Sequence, residues 1–186
     1  MRVITGIARG CRLSTLAGED TRPTTDKVKE GLFSAIQFDI EGRRVLDLFA
    51  GSGQLGIEAL SRGASGAVFV DRNPDATAII KQNLQKTGLM AQAQVLTTDA
   101  SSYVERPKDA FDLVFLDPPY SSGLLLPTLE KAAKLVNDGG IMVCESDEEA
   151  VLPDKVDRFT LDRVRKYGRI QVWIYRYSAL NEEDVV

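Results

Sequence analysis

A strand that runs into a glycine-rich turn and then a helix, Val45-Leu46-Asp47-Leu48-Phe49-Ala50-Gly51-Ser52-Gly53-Gln54-Leu55-Gly56, restricts the fold more than any other stretch of the chain. Gly51, Gly53 and Gly56 satisfy G-x-G-x-x-G, the spacing that lets a backbone turn tightly over a ligand and a helix pack close to its strand. Short apolar runs then alternate with helical periodicity: strand Val45–Leu48, helix Leu55–Leu60, strand Ala67–Val70, helix Pro74–Lys86, strand Ala93–Leu96, a short helix near Ser101–Glu105 and a buried strand Phe111–Leu116. A helix over roughly Leu124–Val136, a strand at Ile141–Glu145 and two longer strands, Arg158–Arg165 and Arg169–Tyr177, complete the pattern. Pro74 suits a first helical turn and Gly88 a helix C-cap. The alternation predicts right-handed crossovers and a doubly wound, mostly parallel, seven-stranded sheet. Only a Tyr167-Gly168 turn separates the last two strands, so they form an antiparallel hairpin.

Ahead of the sheet, alternation around Val3 to Ile7 and Cys11 to Leu13, broken by Ala8-Arg9-Gly10, predicts a small β-hairpin arm within residues 1–22. After Pro23, Thr24-Thr25 offers an N-cap, and Val28, Leu32, Ala35 and Ile36 recur at helical spacing through about Gln37. The chain of 186 residues suits one α/β domain, with residues 23–178 as the core and 179–186 as an acidic tail. The two cysteines, Cys11 and Cys144, match no metal-ligand spacing, and histidine is absent, so reduced thiols and no metal are expected. No segment has the length or apolarity of a membrane span, which places the protein in the cytoplasm. A net charge of −4 argues against wholesale coating of nucleic acid, but the distribution is uneven. Arg2, Arg9 and Arg12 lie together without an acid near them in the sequence, and Arg163, Arg165, Lys166 and Arg169 cluster late.

The glycine turn alone admits a dinucleotide or another nucleotide-like cofactor. Asp71 ends the second strand, where a carboxylate can accept from both hydroxyls of a ribose. Asp47 decides between them: it lies inside a buried strand, where an unpaired carboxylate is costly and a cationic ligand would compensate it. The methionyl ammonium of S-adenosyl-L-methionine is such a cation, and a dehydrogenase would want a substrate domain and an acid–base residue that this chain does not offer. Asp99, after the third strand, can take an adenine amino group or cap the next helix. Phe49, Gly51 and Gly53 of the turn, with Arg72 and Ala100 beside the two later aspartates, complete the candidate cofactor contacts.

Asp117-Pro118-Pro119-Tyr120, at the carboxyl end of the fourth strand, carries the chemistry. Asp117 and Pro118 each precede a proline, which confines them to extended backbone, and neither proline has an N–H. The turn therefore presents acceptors: the Asp117 carboxylate and the Pro118 carbonyl. An exocyclic base amine is a poor nucleophile because its lone pair is conjugated with the ring. Two acceptors gripping its hydrogens direct that lone pair outward, and Tyr120 supplies a face for stacking, worth about 1–3 kcal/mol per base. Alignment of this kind can contribute on the order of 7–11 kcal/mol.

A mostly parallel sheet closed by an antiparallel hairpin is the Rossmann-like arrangement of class I methyltransferases. Nearly end to end, the chain resembles the RsmD family of bacterial 16S rRNA guanine-N2 methyltransferases. The likeness is carried by Arg9-Gly10 with Leu13, by Arg22-Pro23-Thr24-Thr25-Asp26 leading to Glu30 and Leu32-Phe33, by Val45 to Gly56 with Glu58 to Ala64, by Phe111 to Tyr120, and by Tyr167-Gly168-Arg169 before Tyr175-Arg176. Cys11, where a basic residue is common, and Gln54, where a small one is, depart from it. The resemblance implies that Arg22 to Asp26 border the pocket, that Asp71 holds the ribose and Asp99 the adenine, and that Asp117 to Tyr120 hold the guanine. It implies S-adenosyl-L-homocysteine as product and 16S rRNA, within an assembling small ribosomal subunit, as the partner of a monomer. Arg9, Arg12, Arg22 and Thr24 are the candidate RNA contacts. Two alternatives stand beside it: a DNA adenine-N6 methyltransferase, which normally needs a recognition insertion, and a non-enzymatic RNA-binding protein on the same fold.

Overall fold

A computed structural model describes residues 1–16, 26–105 and 109–178. Helix α1 (Asp26–Ala35) leads to β1 (Arg44–Leu48), α2 (Gln54–Ser61), β2 (Gly66–Asp71), α3 (Pro74–Thr87), β3 (Ala93–Thr97), α4 (Ala100–Val104) and β4 (Phe111–Leu116). Then follow α5 (Leu125–Ala132), β5 (Val136–Asp147), β6 (Lys155–Val156), β7 (Phe159–Tyr167) and β8 (Ile170–Tyr177). The strands form one sheet in the order β3-β2-β1-β4-β5-β8-β7-β6. β1 to β5 are parallel, and β8 enters antiparallel between β5 and β7. This is the class I methyltransferase arrangement anticipated from the sequence, with an eighth, two-residue strand, β6, added at the edge.

Alternation along the strands sorts the core into two layers. Val45, Phe69, Leu113, Phe115, Ile141 and Val143 pack with α1, α2 and α3, while Leu46, Leu48, Val68, Val114, Leu116, Met142 and Trp173 pack with α4 and α5. α3 begins as Pro74 and the cap of Asn73 dictate, with Asn73 Oδ1 accepting the Asp75 N–H at 2.9 Å, and it ends at Gly88 with φ 73°.

Several boundaries differ from those read in the sequence, three of them with structural consequence. The helix expected over Leu124–Val136 stops at Ala132 and tightens into a 3-10 turn, Ala133–Leu135. β5 starts at Val136 rather than Ile141, because Val136 pairs with Phe111 ahead of a register shift in the polar stretch Asn137 to Gly140. Tyr167 pairs with Ile170, so the hairpin turn is Gly168-Arg169 and not Tyr167-Gly168; Gly168, with φ 63°, takes the first central position.

The first residues do form a hairpin, with an Arg2–Arg12 bridge and Val3 N–H donating to Cys11 O at 3.0 Å, but it is welded to the core rather than projecting from it. Val3, Ala8 and Leu13 are buried. The Glu58 carboxylate on α2 accepts the N–H groups of Ile4 (2.8 Å) and Thr5 (3.0 Å) and the Arg62 Nε–H (2.8 Å). Lys29 of α1 lies 3.6 Å from Glu58 and donates to Arg2 O; both ionic side chains are 0% exposed. Ser61, at the end of α2, receives Ile7 N–H on its carbonyl and Ala8 N–H on its hydroxyl. The proposed Thr24-Thr25 cap, Arg22 and the acidic tail lie outside the described residues.

Candidate active site

The glycine turn sits at the carboxyl edge of the sheet, between β1 and α2. Phe49 has φ 62°, a left-handed conformation that costs a bulky residue on the order of 1–3 kcal/mol and that concentrates at ligand sites. Gly51 (φ 54°) and Gly53 (φ 77°) follow, and a Cβ on Gly51 would meet nothing within 4 Å, so the turn is open on that side. Gly56 is required for a different reason: a Cβ there would stand 2.3 Å from the Phe69 ring and 3.1 Å from Asp47 Oδ2.

Asp47 is 1% exposed and accepts the Gly56 N–H on Oδ2 at 2.9 Å. Burial, opposed by that bond and reinforced by the charge of Asp71, pushes its carboxyl up to about 8. Asp71 accepts Gly51 N–H on one oxygen and Asn73 N–H on the other, each at 2.8 Å, so it braces the turn and the next helix start with acceptor capacity to spare. Asp99 caps α4: its Oδ1 accepts from Ser101 N (2.9 Å) and Ser102 N (3.2 Å), and its Oδ2 has no hydrogen bond among the described residues. The cap foreseen for Asp99 is thus real and leaves one oxygen for another partner. Arg72 is exposed, and Ala100 is the buried first residue of α4. Asn83 of α3 joins the turn to the hairpin, accepting Ser14 N–H at 2.8 Å and donating to Ser14 O (3.0 Å) and Ser52 O (2.9 Å). Gln54, next in chain to the turn, has a buried amide oxygen with no hydrogen-bond partner among the described residues.

On the other side of β1, β4 delivers Asp117-Pro118-Pro119-Tyr120. Pro118, Pro119 and Tyr120 wall a cavity of about 290 Å³ together with Leu125, Leu126, the end of β5 from Glu145 to Asp147, and Glu149 to Leu152 beyond it. Asp117 directly precedes that wall; burial, then the charges of Glu145 and Asp47, hold its carboxyl well above the usual range. Tyr120 donates its hydroxyl to Glu145 Oε1 at 2.9 Å, and burial with the Glu145 charge raises its phenol. Glu145 escaped the sequence reading, which gave it only as the last residue of the strand Ile141–Glu145. The available signal was its place at the carboxyl end of a buried strand, the place that Asp47, Asp71 and Asp117 share.

Asp47, Phe49, Gly51, Gly53, Asp71 and Asp99 thus line one edge with Asp117 to Tyr120, but the arginines of the hairpin stand apart. Met1 Sδ accepts from Ser52 in the turn, whereas Ile7 and Ala8 dock at Ser61, at the far end of an eight-residue helix about 12 Å long. Arg9 and Arg12 are exposed and have no ion pair among the described residues. In the late basic cluster, Arg163 pairs with Asp162 at 2.9 Å and Arg169 lies 3.9 Å from Glu148. Among the described residues no group of three or more His, Cys, Asp or Glu side chains could hold a metal ion, and no helix is long and apolar enough to cross a membrane.

Residues 1–176 match the family model described as conserved hypothetical protein 95. The chain is 34% identical to ribosomal RNA small subunit methyltransferase D of Escherichia coli K12, across 99% of this chain and 93% of that protein. It is 44% identical to YlbH of Bacillus subtilis 168, across 95% and 98%. The solved structure of yhhF from Escherichia coli superposes with a TM-score of 0.86 at 34% identity, covering 96% of this chain and 98% of that one. On sequence and fold alike, the chain belongs to the RsmD family.

Proposed function

We propose that the chain transfers a methyl group from S-adenosyl-L-methionine to the exocyclic N2 of a guanine in 16S rRNA of the small ribosomal subunit, acting as a monomeric cytoplasmic enzyme of one domain and leaving S-adenosyl-L-homocysteine. The observation that carries the reading is the rigid acceptor turn, Asp117-Pro118, at the mouth of a buried strand beside a base-sized cavity whose wall includes the Tyr120 ring. Membership of a family that includes an rRNA small subunit methyltransferase supports the substrate class.

The residues present fit the cofactor. Asp47, buried and reluctant to ionise alone, gains a counter-charge from a methionyl ammonium; the open side of Gly51 admits a ligand; and the orphaned Gln54 oxygen is a further acceptor. Asp71 offers its remaining lone pairs to a ribose, and Asp99 Oδ2 an acceptor to an adenine amine. When bound, the cofactor supplies an electrophilic methyl on a sulfonium. Asp117 and Pro118 hold the two hydrogens of the target amine, Tyr120 stacks on its base, and the Asp117 carboxylate stands where the departing proton can be taken. Arg9 and Arg12, well away from the cavity, contact phosphates of RNA outside the target nucleotide, and Arg22 and Thr24 complete the substrate contacts.

The test is transfer of tritium from labelled S-adenosylmethionine to small ribosomal subunits from cells lacking this enzyme, with the product mapped and digested to nucleosides. Label in N2-methylguanosine of 16S rRNA is the expected outcome. Label on adenine, or on DNA in parallel, would refute the reading.

A further inference from the structure

Glu145 has a chemistry that the tetrapeptide alone does not account for. It is 3% exposed, yet its carboxylate reaches the cavity wall. Its polar neighbours there have structural duties: Ser146 Oγ accepts the Trp173 indole N–H at 2.9 Å, and Asp147 Oδ1 caps the turn at Glu149 and Ala150. Glu145 instead faces Tyr120, whose hydroxyl fixes the position of its Oε1 at 2.9 Å. In the parallel β4–β5 pair Leu116 stands opposite Cys144, which sets Asp117, the residue after β4, beside Glu145, two residues before the end of β5. Residues from two adjacent strands, Pro118 just after β4 and Glu145 in β5, therefore wall the cavity, and Asp117 directly precedes Pro118.

A carboxylate offers about four acceptor positions and no donor. Guanine presents donors in a row, the ring N1–H beside the two hydrogens on N2. Adenine and 2-aminopurine place a ring-nitrogen lone pair next to the amine, and against a carboxylate that lone pair is repelled and left without a hydrogen bond. We propose that Glu145 is the base-reading residue: its carboxylate, oriented by Tyr120, accepts the N1–H of the guanine whose amine Asp117 and Pro118 hold. The inference rests on the guanine-N2 reading and assigns its selectivity to a named side chain. Mutual repulsion between the Glu145 and Asp117 carboxylates is relieved when a row of donors lies between them.

The experiment compares single-turnover methylation, at saturating S-adenosylmethionine, of small subunits reconstituted with guanine or with 2-aminopurine at the mapped target. 2-Aminopurine keeps the N2 amine and lacks the N1–H. The wild-type enzyme is expected to favour guanine roughly 10- to 100-fold, the discrimination of one good base-edge contact. Glu145→Gln, whose amide can donate to a bare N1, narrows that ratio to about threefold or less, and Glu145→Asp keeps the preference for guanine. Unchanged affinity of Glu145→Gln for S-adenosylhomocysteine shows that the edge remains folded. A wild-type enzyme that methylates both bases equally, or a ratio that survives Glu145→Gln, overturns the assignment to Glu145 while leaving the guanine-N2 reaction standing. Methylation of neither base overturns the reaction and the assignment together.

Discussion

Replacing Glu58 by glutamine should be the most destabilising single isosteric change in the N-terminal half of the chain. The Glu58 carboxylate answers four donors, the N–H groups of Ile4 and Thr5, the Arg62 guanidinium and the Lys29 ammonium, and neither it nor Lys29 has any exposed surface. The amide removes the charge that sustains Lys29 and turns an N–H₂ toward a backbone N–H, so that donor meets donor. Breaking one partner of a buried pair costs about 3–5 kcal/mol. For a chain of this size 1 kcal/mol lowers Tm by about 2–4 °C, which places the loss at roughly 6–20 °C. Thermal and urea denaturation measure it, and amide hydrogen exchange at Ile4 and Thr5 should accelerate beyond the rest of the sheet. Adding Lys29→Met, which removes the stranded ammonium, should recover part of the loss. A fall in Tm below about 2 °C, or a double variant no more stable than the single one, would show that the network carries no such energy.

Other outcomes follow from the edge of the sheet. Asp47 has a carboxyl raised from 3.8 to about 8, so between those values the native state binds a proton that the unfolded chain does not, and ligand-free stability should fall as pH rises from about 4 to 8. Asp47→Asn should flatten that dependence in Tm measured against pH; parallel curves would refute it. Gly56→Ala, which drives a Cβ into the Phe69 ring, should cost about 1–3 kcal/mol in urea denaturation, and a neutral result would sink the close-packing argument. Asp71→Ala frees the Gly51 and Asn73 N–H groups and should weaken S-adenosylhomocysteine binding about 10- to 100-fold by calorimetry; equal affinity would exclude Asp71 from the site. Asp117→Ala should nearly abolish single-turnover transfer with cofactor affinity intact, and Asp117→Asn should keep part of it; a near wild-type rate in the alanine variant would make the turn structural.

The glycine turn, Asp71, Asp99 and the Asp-Pro-Pro-Tyr turn were legible because each is written in contiguous residues with its own backbone demands. The place of Glu145 was not, since it arises from β4 lying beside β5 and from a hydroxyl 25 positions away in the chain. Lys29 and Glu58 are interior because the hairpin covers them, and nothing local in Asp26 to Glu30 records that cover. The stretch Asn137-Asp138-Gly139-Gly140 has the composition of a loop, yet sheet pairing on both sides of it draws it into β5. The arginines of the hairpin were read as RNA contacts from charge alone, and only the three-dimensional path of the hairpin down α2 shows that Arg9 stands away from the cavity.

The placement of β8 imposes an order on synthesis. β5 is buried along most of its length and has β4 on one flank, but its other neighbour, β8, is the last of the described strands to be made. β7 is made earlier and cannot substitute, because its place is outside β8. Until about Tyr177 has emerged, the growing chain therefore carries an open apolar edge, the kind of surface that recruits chaperones or a second copy of itself. A nonsense or frameshift lesion after Asp147 and before Ile170 would spare the glycine turn and the Asp-Pro-Pro-Tyr turn, and would still yield a chain that aggregates in place of a weakened enzyme.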